Sequence, residues 1–196
     1  ITRPRMKKIL IGTHNKGKFK EISYLISKKY KKISPNSLKI KSPKETGKSF
    51  TSNSKLKVSY FSKFVDYPVI SDDSGLCIKA LNNKPGIYSA RLAKKHGSFL
   101  NAMKFILRKM KKKKIRSATF VCCLSYKDKK RKIISVEGKL EGNISTKILG
   151  KKGFGYDPIF IPLRKKITFG QMIKSKKIKM DHRCIAFKKL KKIIKI

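Results

Sequence analysis

Ten carboxylates share this 196-residue chain with 53 lysines and arginines, and two of the ten stand side by side at Asp72-Asp73. Any fold must solvate this pair, use it to cap a turn, or set it against cations. The run before it, Pro68-Val69-Ile70, reads as the end of a buried strand, and Ser74-Gly75 follows. Adjacent carboxylates at a strand end can hold a hard cation such as Mg²⁺ and accept a proton from water. In a strongly basic chain, that chemistry implies a polyanionic substrate carrying phosphates. The other reading is a turn in which Asp72 or Asp73 caps the approach to Gly75.

The length favours one domain over residues 1–196. The 39% hydrophobic content is compatible with a sizeable core. No stretch approaches the ~20 apolar residues of a membrane helix, so no membrane partner is expected. Ile9-Leu10-Ile11 is too short for a signal peptide. Met6 is a candidate start, with residues 1–5 a disordered N-terminal extension. Cys77, Cys122, Cys123 and Cys184 make no CxxC pair and no zinc or disulfide framework. They are expected as small core residues in a reducing cytoplasm. The net charge of +43 raises nucleic-acid binding. Against it, lysines lie throughout the chain, from Lys28-Lys29 to Lys191-Lys192, as AT-rich codon usage would scatter them. Such a field attracts nucleoside triphosphates and gives weak, salt-dependent RNA binding, without a specific nucleic-acid partner.

Periodicity predicts a strand over Lys7–Gly12, a helix over about Lys16–Lys29 and a short strand over Ser37–Lys41. A second helix is predicted over Phe50–Phe64, its apolar face formed by Leu56, Tyr60, Phe61 and Phe64. Val69–Ser71 and Leu76–Ala80 read as strands around the acidic turn, and Phe99–Met110 as a third helix. Ala118–Tyr126 and Lys132–Gly138 read as an antiparallel pair turned by Asp128-Lys129-Lys130, with another strand over Asn143–Ile148. The tail from Arg183 to Ile194 reads as a helix. This order predicts an α/β fold around a mixed sheet.

Gly12-Thr13-His14-Asn15-Lys16-Gly17-Lys18 fits GxxxxGK after a strand and before a helix. Phe19 stands where a P-loop needs the Ser or Thr that holds Mg²⁺, which argues against a P-loop ATPase. A loop opening a helix still offers free backbone N–H groups to phosphate, and Lys18 adds a charge-assisted donor. A purely structural turn is the alternative.

Thr13-x-Asn15-x-Gly17-Lys18, Glu45-Thr46-Gly47, Ser71-Asp72-Asp73-Ser74-Gly75-Leu76 and Pro85-Gly86-Ile87-Tyr88-Ser89-Ala90-Arg91 come in that order. Gly153-Phe154-Gly155-Tyr156-Asp157-Pro158-Ile159-Phe160 and Asp181-His182-Arg183 follow. Together they resemble the inosine/xanthosine triphosphate pyrophosphatases over almost the whole chain. The resemblance implies hydrolysis of ITP, dITP, XTP and dXTP to monophosphate and pyrophosphate, which cleanses the nucleotide pool. It also implies an elongated, two-lobed α/β domain of ITPase/Maf-like type with a twisted mixed sheet and a central cleft, usually a homodimer. A Maf-like enzyme acting on pyrimidine or modified nucleotides is the neighbouring alternative, and Phe154 to Asp157 with His182-Arg183 argue against it.

By the same resemblance, Thr13, His14, Asn15, Lys16, Gly17 and Lys18 form a triphosphate-binding loop. Asp73 accepts the proton of the attacking water and, with Glu45, holds Mg²⁺; Ser74 contacts substrate. Asn53 and Lys57 face the phosphates. Phe154, Gly155, Tyr156 and Asp157 build the base pocket, which Lys177, His182 and Arg183 complete; both aromatic rings are expected against the base. The chain departs from the family's usual residues at Lys44, Ser52, His14 and Asp181. These departures leave Asp73, Lys18 and Glu45 in place and bear on metal stoichiometry and base preference.

Overall fold

The computed structural model describes residues 6–129 and 132–196. The expected extension at 1–5 and Lys130 of the expected hairpin turn lie outside the described residues. The elements are β1 (Lys7–Ile11), α1 (Lys16–Leu25), β2 (Tyr30–Ile33), α2 (Phe50–Phe61), β3 (Val69–Ile78), β4 (Lys84–Pro85) and α3 (Ser89–Lys95). They continue with α4 (Phe99–Met110), β5 (Ser117–Lys127), β6 (Ile134–Ile144), β7 (Phe160–Pro162), α5 (Lys174–Lys177) and α6 (His182–Lys191). The strands run β2-β1-β3-β5-β6-β7 across a mixed sheet, with β4 beside β3. This is the α/β class that the order of elements predicts.

The chain forms two compact units. One takes the residues up to Asp73, Cys123–Glu137 and Ala186–Ile196; the other takes Ser74–Cys122 and Gly138–Ile185. In the first unit β1 pairs in parallel with β2 (Leu10 opposite Ile33) and with β3 (Leu10 opposite Val69). Its core gathers Leu10, Ile40, Val58, Phe61 and Val69. In the second unit β4 and β7 pair antiparallel with the ends of β3 and β6. Its core includes Leu76, Ile78, Phe120, Ile159, Phe160 and Phe169. Helix α4 shows how local sequence serves that core. Ser98 caps it by accepting from Asn101 N, and Ala102, Met103, Ile106 and Met110 bury one stripe at helical spacing. Each of the larger three contributes about 1.5–3 kcal/mol of burial.

Several boundaries differ from the predicted ones. The acidic tetrad is not a turn: Asp72, Asp73, Ser74 and Gly75 lie inside the single strand β3. Ser37–Lys41 is not a strand, because Pro35 opens a helical turn over Asn36–Leu38 and Lys39 is left-handed (φ 55°). The strand there is β2, a Lys-rich stretch whose side chains are only partly buried. Helix α1 ends at Leu25, where buried Ile26 turns extended and leads the chain toward β2. Helix α2 buries Asn53, Ser54, Lys57, Val58 and Phe61, whereas Phe64 lies beyond its end and is exposed. Asn143-Ile144 is the end of β6 and not the start of a further strand. Helix α3 had no expected counterpart.

Candidate active site

In the first unit the loop between β1 and α1 is held by its own side chains. Thr13 Oγ1 accepts from Asn15 N, and Asn15 Oδ1 caps α1 by accepting from Lys18 N at 3.0 Å. His14 is engaged at both ring nitrogens, with the Ile40 carbonyl and the Ser42 hydroxyl, so it anchors the loop to the segment after β2. Lys16 is exposed, while Gly17 and Lys18 are half-buried on the first turn. The cap leaves other first-turn N–H groups and the positive end of the helix dipole facing outward, as anion binding requires.

Side chains of successive strand residues alternate in direction, and the two carboxylates of β3 find different partners. Asp72 is fully buried and meets Lys18 Nζ at 3.1 Å. Asp73 Oδ2 accepts from Asn53 Nδ2 at 3.0 Å, and Asn53 Oδ1 in turn accepts from Gly47 N at 2.8 Å. Lys57, one helical turn beyond Asn53, donates to the Asp72 carbonyl at 2.6 Å and to Glu45 Oε1 at 3.2 Å. Burial works against the Lys57 charge, but Asp72, Glu45 and Asp73 outweigh it and hold the ammonium above its ordinary pKa. Burial pushes the Asp73 carboxyl up. Lys18, Lys57 and the Asn53 hydrogen bond pull it back without cancelling the rise, and Glu45 adds to it. Three acids and two ammonium groups therefore share one largely buried patch, in which burial raises the proton affinity of Asp73.

This donor set can be tested against a divalent cation. Glu45, Asp72 and Asp73 offer only oxygen ligands, the kind Mg²⁺ takes. Among the described residues no three His, Cys, Asp or Glu side chains form a group that could hold a metal ion. Mg²⁺ uses one or two carboxylates and completes its shell with water and phosphate oxygens.

In the second unit the segment after β6 wraps around Asp157. Its Oδ2 accepts from Lys177 Nζ at 2.6 Å and from Phe154 N at 2.8 Å. Gly153 has φ +74°, and a Cβ there would fall 2.0 Å from that same oxygen, so the turn requires glycine. The half-buried Phe154 ring carries Lys177 Nζ at 4.6 Å from its centroid and the Arg183 guanidinium at 5.1 Å. Gly155 adds a second positive-φ position beside it. Arg183 Nη2 donates to Ser74 Oγ at 3.1 Å, and Nη1 lies 3.0 Å from His182 Nε2. His182 stacks on Phe120 with centroids 4.7 Å apart and planes 9° apart. Tyr156 is placed in the core: its ring meets Phe99 edge-on at 5.2 Å and its hydroxyl donates to the Ser89 carbonyl at 2.7 Å. Burial raises the pKa of that phenol, which stays neutral. Tyr156 thus braces the loop, and Phe154 is the ring left partly open.

The profile of the Ham1 family matches residues 9–193. The chain belongs to the Ham1 family. It is 42% identical over 190 residues to the dITP/XTP pyrophosphatase of Dictyoglomus thermophilum, covering 93% of this chain and 92% of that protein. It is 36% identical to the dITP/XTP pyrophosphatase of Bacillus subtilis, over 96% of this chain and 98% of that one. Among solved structures, the Staphylococcus aureus Ham1 protein superposes with a TM-score of 0.85 at 34% identity, over 95% of this chain and 97% of that one. A HAM1 protein from Coxiella burnetii gives 0.85 at 30% identity, over 96% and 98%.

Two of this Ham1 member's departures acquire a physical reason. Asp181 Oδ1 accepts from Cys184 N at 2.8 Å and so caps α6, a task a serine would also perform. Ser52 completes a reciprocal capping box with Ser49, the task its usual glutamate would have. The motifs alone do not show that Asp72 pairs with Lys18 or that Phe120 supports His182. The doubled acid was a signal for the first. For Phe120, an apolar residue in an apolar strand, there was none.

Proposed function

We propose that this chain is a pyrophosphatase for purine nucleoside triphosphates with deaminated bases, converting ITP, dITP, XTP and dXTP to the monophosphate and pyrophosphate. The observation that carries the reading is Asp73: a buried carboxylate, raised in pKa, set among Lys18, Lys57 and Asn53 in a Ham1-family chain. The names of its relatives supply the substrate class.

The α1 loop, Lys18 and Lys57 bind the triphosphate and spread its charge, which matters more in phosphoryl transfer than a strong nucleophile. Glu45 and Asp73 would hold Mg²⁺, which when bound neutralises charge on the phosphate oxygens. Asp73 accepts a proton from water as the water oxygen bonds to the α-phosphorus; the bond from that phosphorus to the bridging oxygen breaks, and pyrophosphate leaves with the bridging oxygen. A positioned base of this kind contributes about 10²–10⁴-fold. Asp72, tied to Lys18, positions that lysine. Phe154 offers a face to the purine. Arg183, oriented by Ser74 and His182, donates to the 6-oxo group, which accepts hydrogen bonds where a 6-amino group donates them. Donors left unpaired by adenine can discriminate by on the order of 10⁴. Asp157 and Lys177 hold Phe154 in place. The single family match over 9–193 supports reading the chain as one pyrophosphatase domain, and the cytoplasmic homodimer implied by the resemblance goes with it. Asp73→Asn keeps the shape and the Asn53 contact and removes the base. Pyrophosphate release from ITP should fall by at least about 10²-fold with the circular dichroism spectrum unchanged; turnover near the wild-type rate would remove Asp73 from the mechanism.

A further inference from the structure

Residues 40–47 belong to no helix or strand, yet they carry Glu45, the one acid between Glu21 and Asp66. No neighbouring acid in the chain can replace that carboxylate if the segment shifts. The ion pair with Lys57 does not secure it either, because a bound cation would compete with the ammonium for the same oxygens. The backbone on each side of Glu45 has to be held instead. On the far side, Gly47 N donates to Asn53 Oδ1 at 2.8 Å. On the near side the holder is His14. It reaches from the β1–α1 loop to the Ile40 carbonyl, 2.9 Å from Nε2, and to the Ser42 hydroxyl at Nδ1.

A carbonyl only accepts, so Nε2 carries a proton, and in the neutral ring Nδ1 accepts from the Ser42 hydroxyl. Both ring nitrogens are used within the protein, and neither is left to a phosphate. The loop is the firmer of the two partners. Gly12 N bonds to the Ile70 carbonyl at 2.7 Å, and Asn15 caps α1. A fixed loop thus holds an irregular segment, and a small side chain at position 14 would reach neither Ile40 nor Ser42. We propose that His14 is a positioning residue for Glu45: its ring clamps residues 40–42 to the triphosphate loop and keeps that carboxylate in place for a divalent cation. The inference rests on the reading of Glu45 as a metal ligand. Groups that orient metal ligands from outside commonly cost about 10–100-fold in metal affinity when removed.

Two readouts on the nucleotide-free protein test it: Mn²⁺ binding by electron paramagnetic resonance, and amide hydrogen exchange followed by mass spectrometry. His14→Ala should weaken Mn²⁺ binding about tenfold, the lower end of that range because His14 acts through the backbone. Exchange should quicken in residues 40–47 and stay unchanged in β1 and α1. With ITP, the Mg²⁺ concentration for half-maximal turnover should rise about tenfold, while kcat at saturating Mg²⁺ changes by less than about threefold. His14→Gln, whose amide N–H can still reach the Ile40 carbonyl, should recover most of the Mn²⁺ affinity. If His14→Ala melts early, Ser42→Ala at an exposed position is read instead. It removes one of the two contacts and should weaken Mn²⁺ binding about threefold, with faster exchange in the same segment. Mn²⁺ affinity and exchange equal to wild type overturn the proposal, as does a wild type that binds no Mn²⁺. So does a His14→Ala variant that keeps its Mn²⁺ affinity and loses affinity for ITP in EDTA, which would put the ring on a phosphate. The pyrophosphatase reading fails separately, if a wild type that binds Mn²⁺ releases no pyrophosphate from ITP.

Discussion

Lys177→Met is the substitution whose cost can be worked most directly from the structure. The ammonium and the Asp157 carboxylate are each 3% exposed and lie 2.6 Å apart. Methionine fills much the same volume, so the loss is electrostatic and not a cavity. Removing one member of a buried ion pair leaves the other charge uncompensated, which costs about 3–5 kcal/mol. Asp157 keeps its bond from Phe154 N, and that places the expected loss toward the lower end. The chain has no tryptophan, so urea unfolding is followed by far-UV circular dichroism. The double variant Lys177→Met/Asp157→Asn buries no charge and should be more stable than Lys177→Met alone, a coupling that only contacting residues show. In the assay with ITP, the single variant should raise KM more than it lowers kcat, since the pair holds Phe154 and touches no reacting atom. A Lys177→Met stability within about 1 kcal/mol of wild type, or a double variant whose loss equals the sum of the single losses, would refute the reasoning.

Two other predictions follow from groups already placed. The Asp73 carboxyl is raised above its ordinary 3.8 by burial. As a neutral acid it favours the folded state, so stability is present below the unfolded value and lost as pH rises through the folded one. In protein free of Mg²⁺ that loss of stability should therefore lie above pH 3.8, and Asp73→Asn should flatten it; a stability profile that Asp73→Asn leaves unchanged contradicts this. At the α6 cap, Asp181→Ala should cost about 1 kcal/mol in urea unfolding, whereas Asp181→Ser should stay within a few tenths.

The parts of the fold that were legible in the sequence are those where burial imposes a period. Helix α4 was bounded correctly because Ala102, Met103, Ile106 and Met110 repeat at helical spacing. Strand β3 was split in two because its interior is acidic. Hydropathy alternation cannot show that Lys18 and Asn53 come from other elements to receive those acids. Strand β2 was missed for a related reason: Tyr30-Lys31-Lys32-Ile33 lies at the outer end of the strand order, where only partial burial is needed and lysine is tolerated. In α2 the sequence points to Leu56 and Phe64, yet the buried face includes Asn53, Ser54 and Lys57. Ser54 is satisfied there by Ser125 Oγ at 2.7 Å, a partner some seventy residues away. The motifs were legible in their order along the chain. Their pairings were not, because an ion pair such as Asp157 with Lys177 depends on a turn geometry set by Gly153. Tyr156 and Phe154 look alike as neighbours in a glycine-rich segment. Only the Ser89 carbonyl and the Phe99 ring show that the first belongs to the core.

The measurement that bears most directly on the central claim is product analysis with Mg²⁺ across ITP, dITP, XTP, GTP, ATP and UTP side by side. The account predicts monophosphate and pyrophosphate from ITP, dITP and XTP, with ATP and GTP turned over far more slowly. Orthophosphate as the first product, or equal turnover of ATP and ITP, would contradict it.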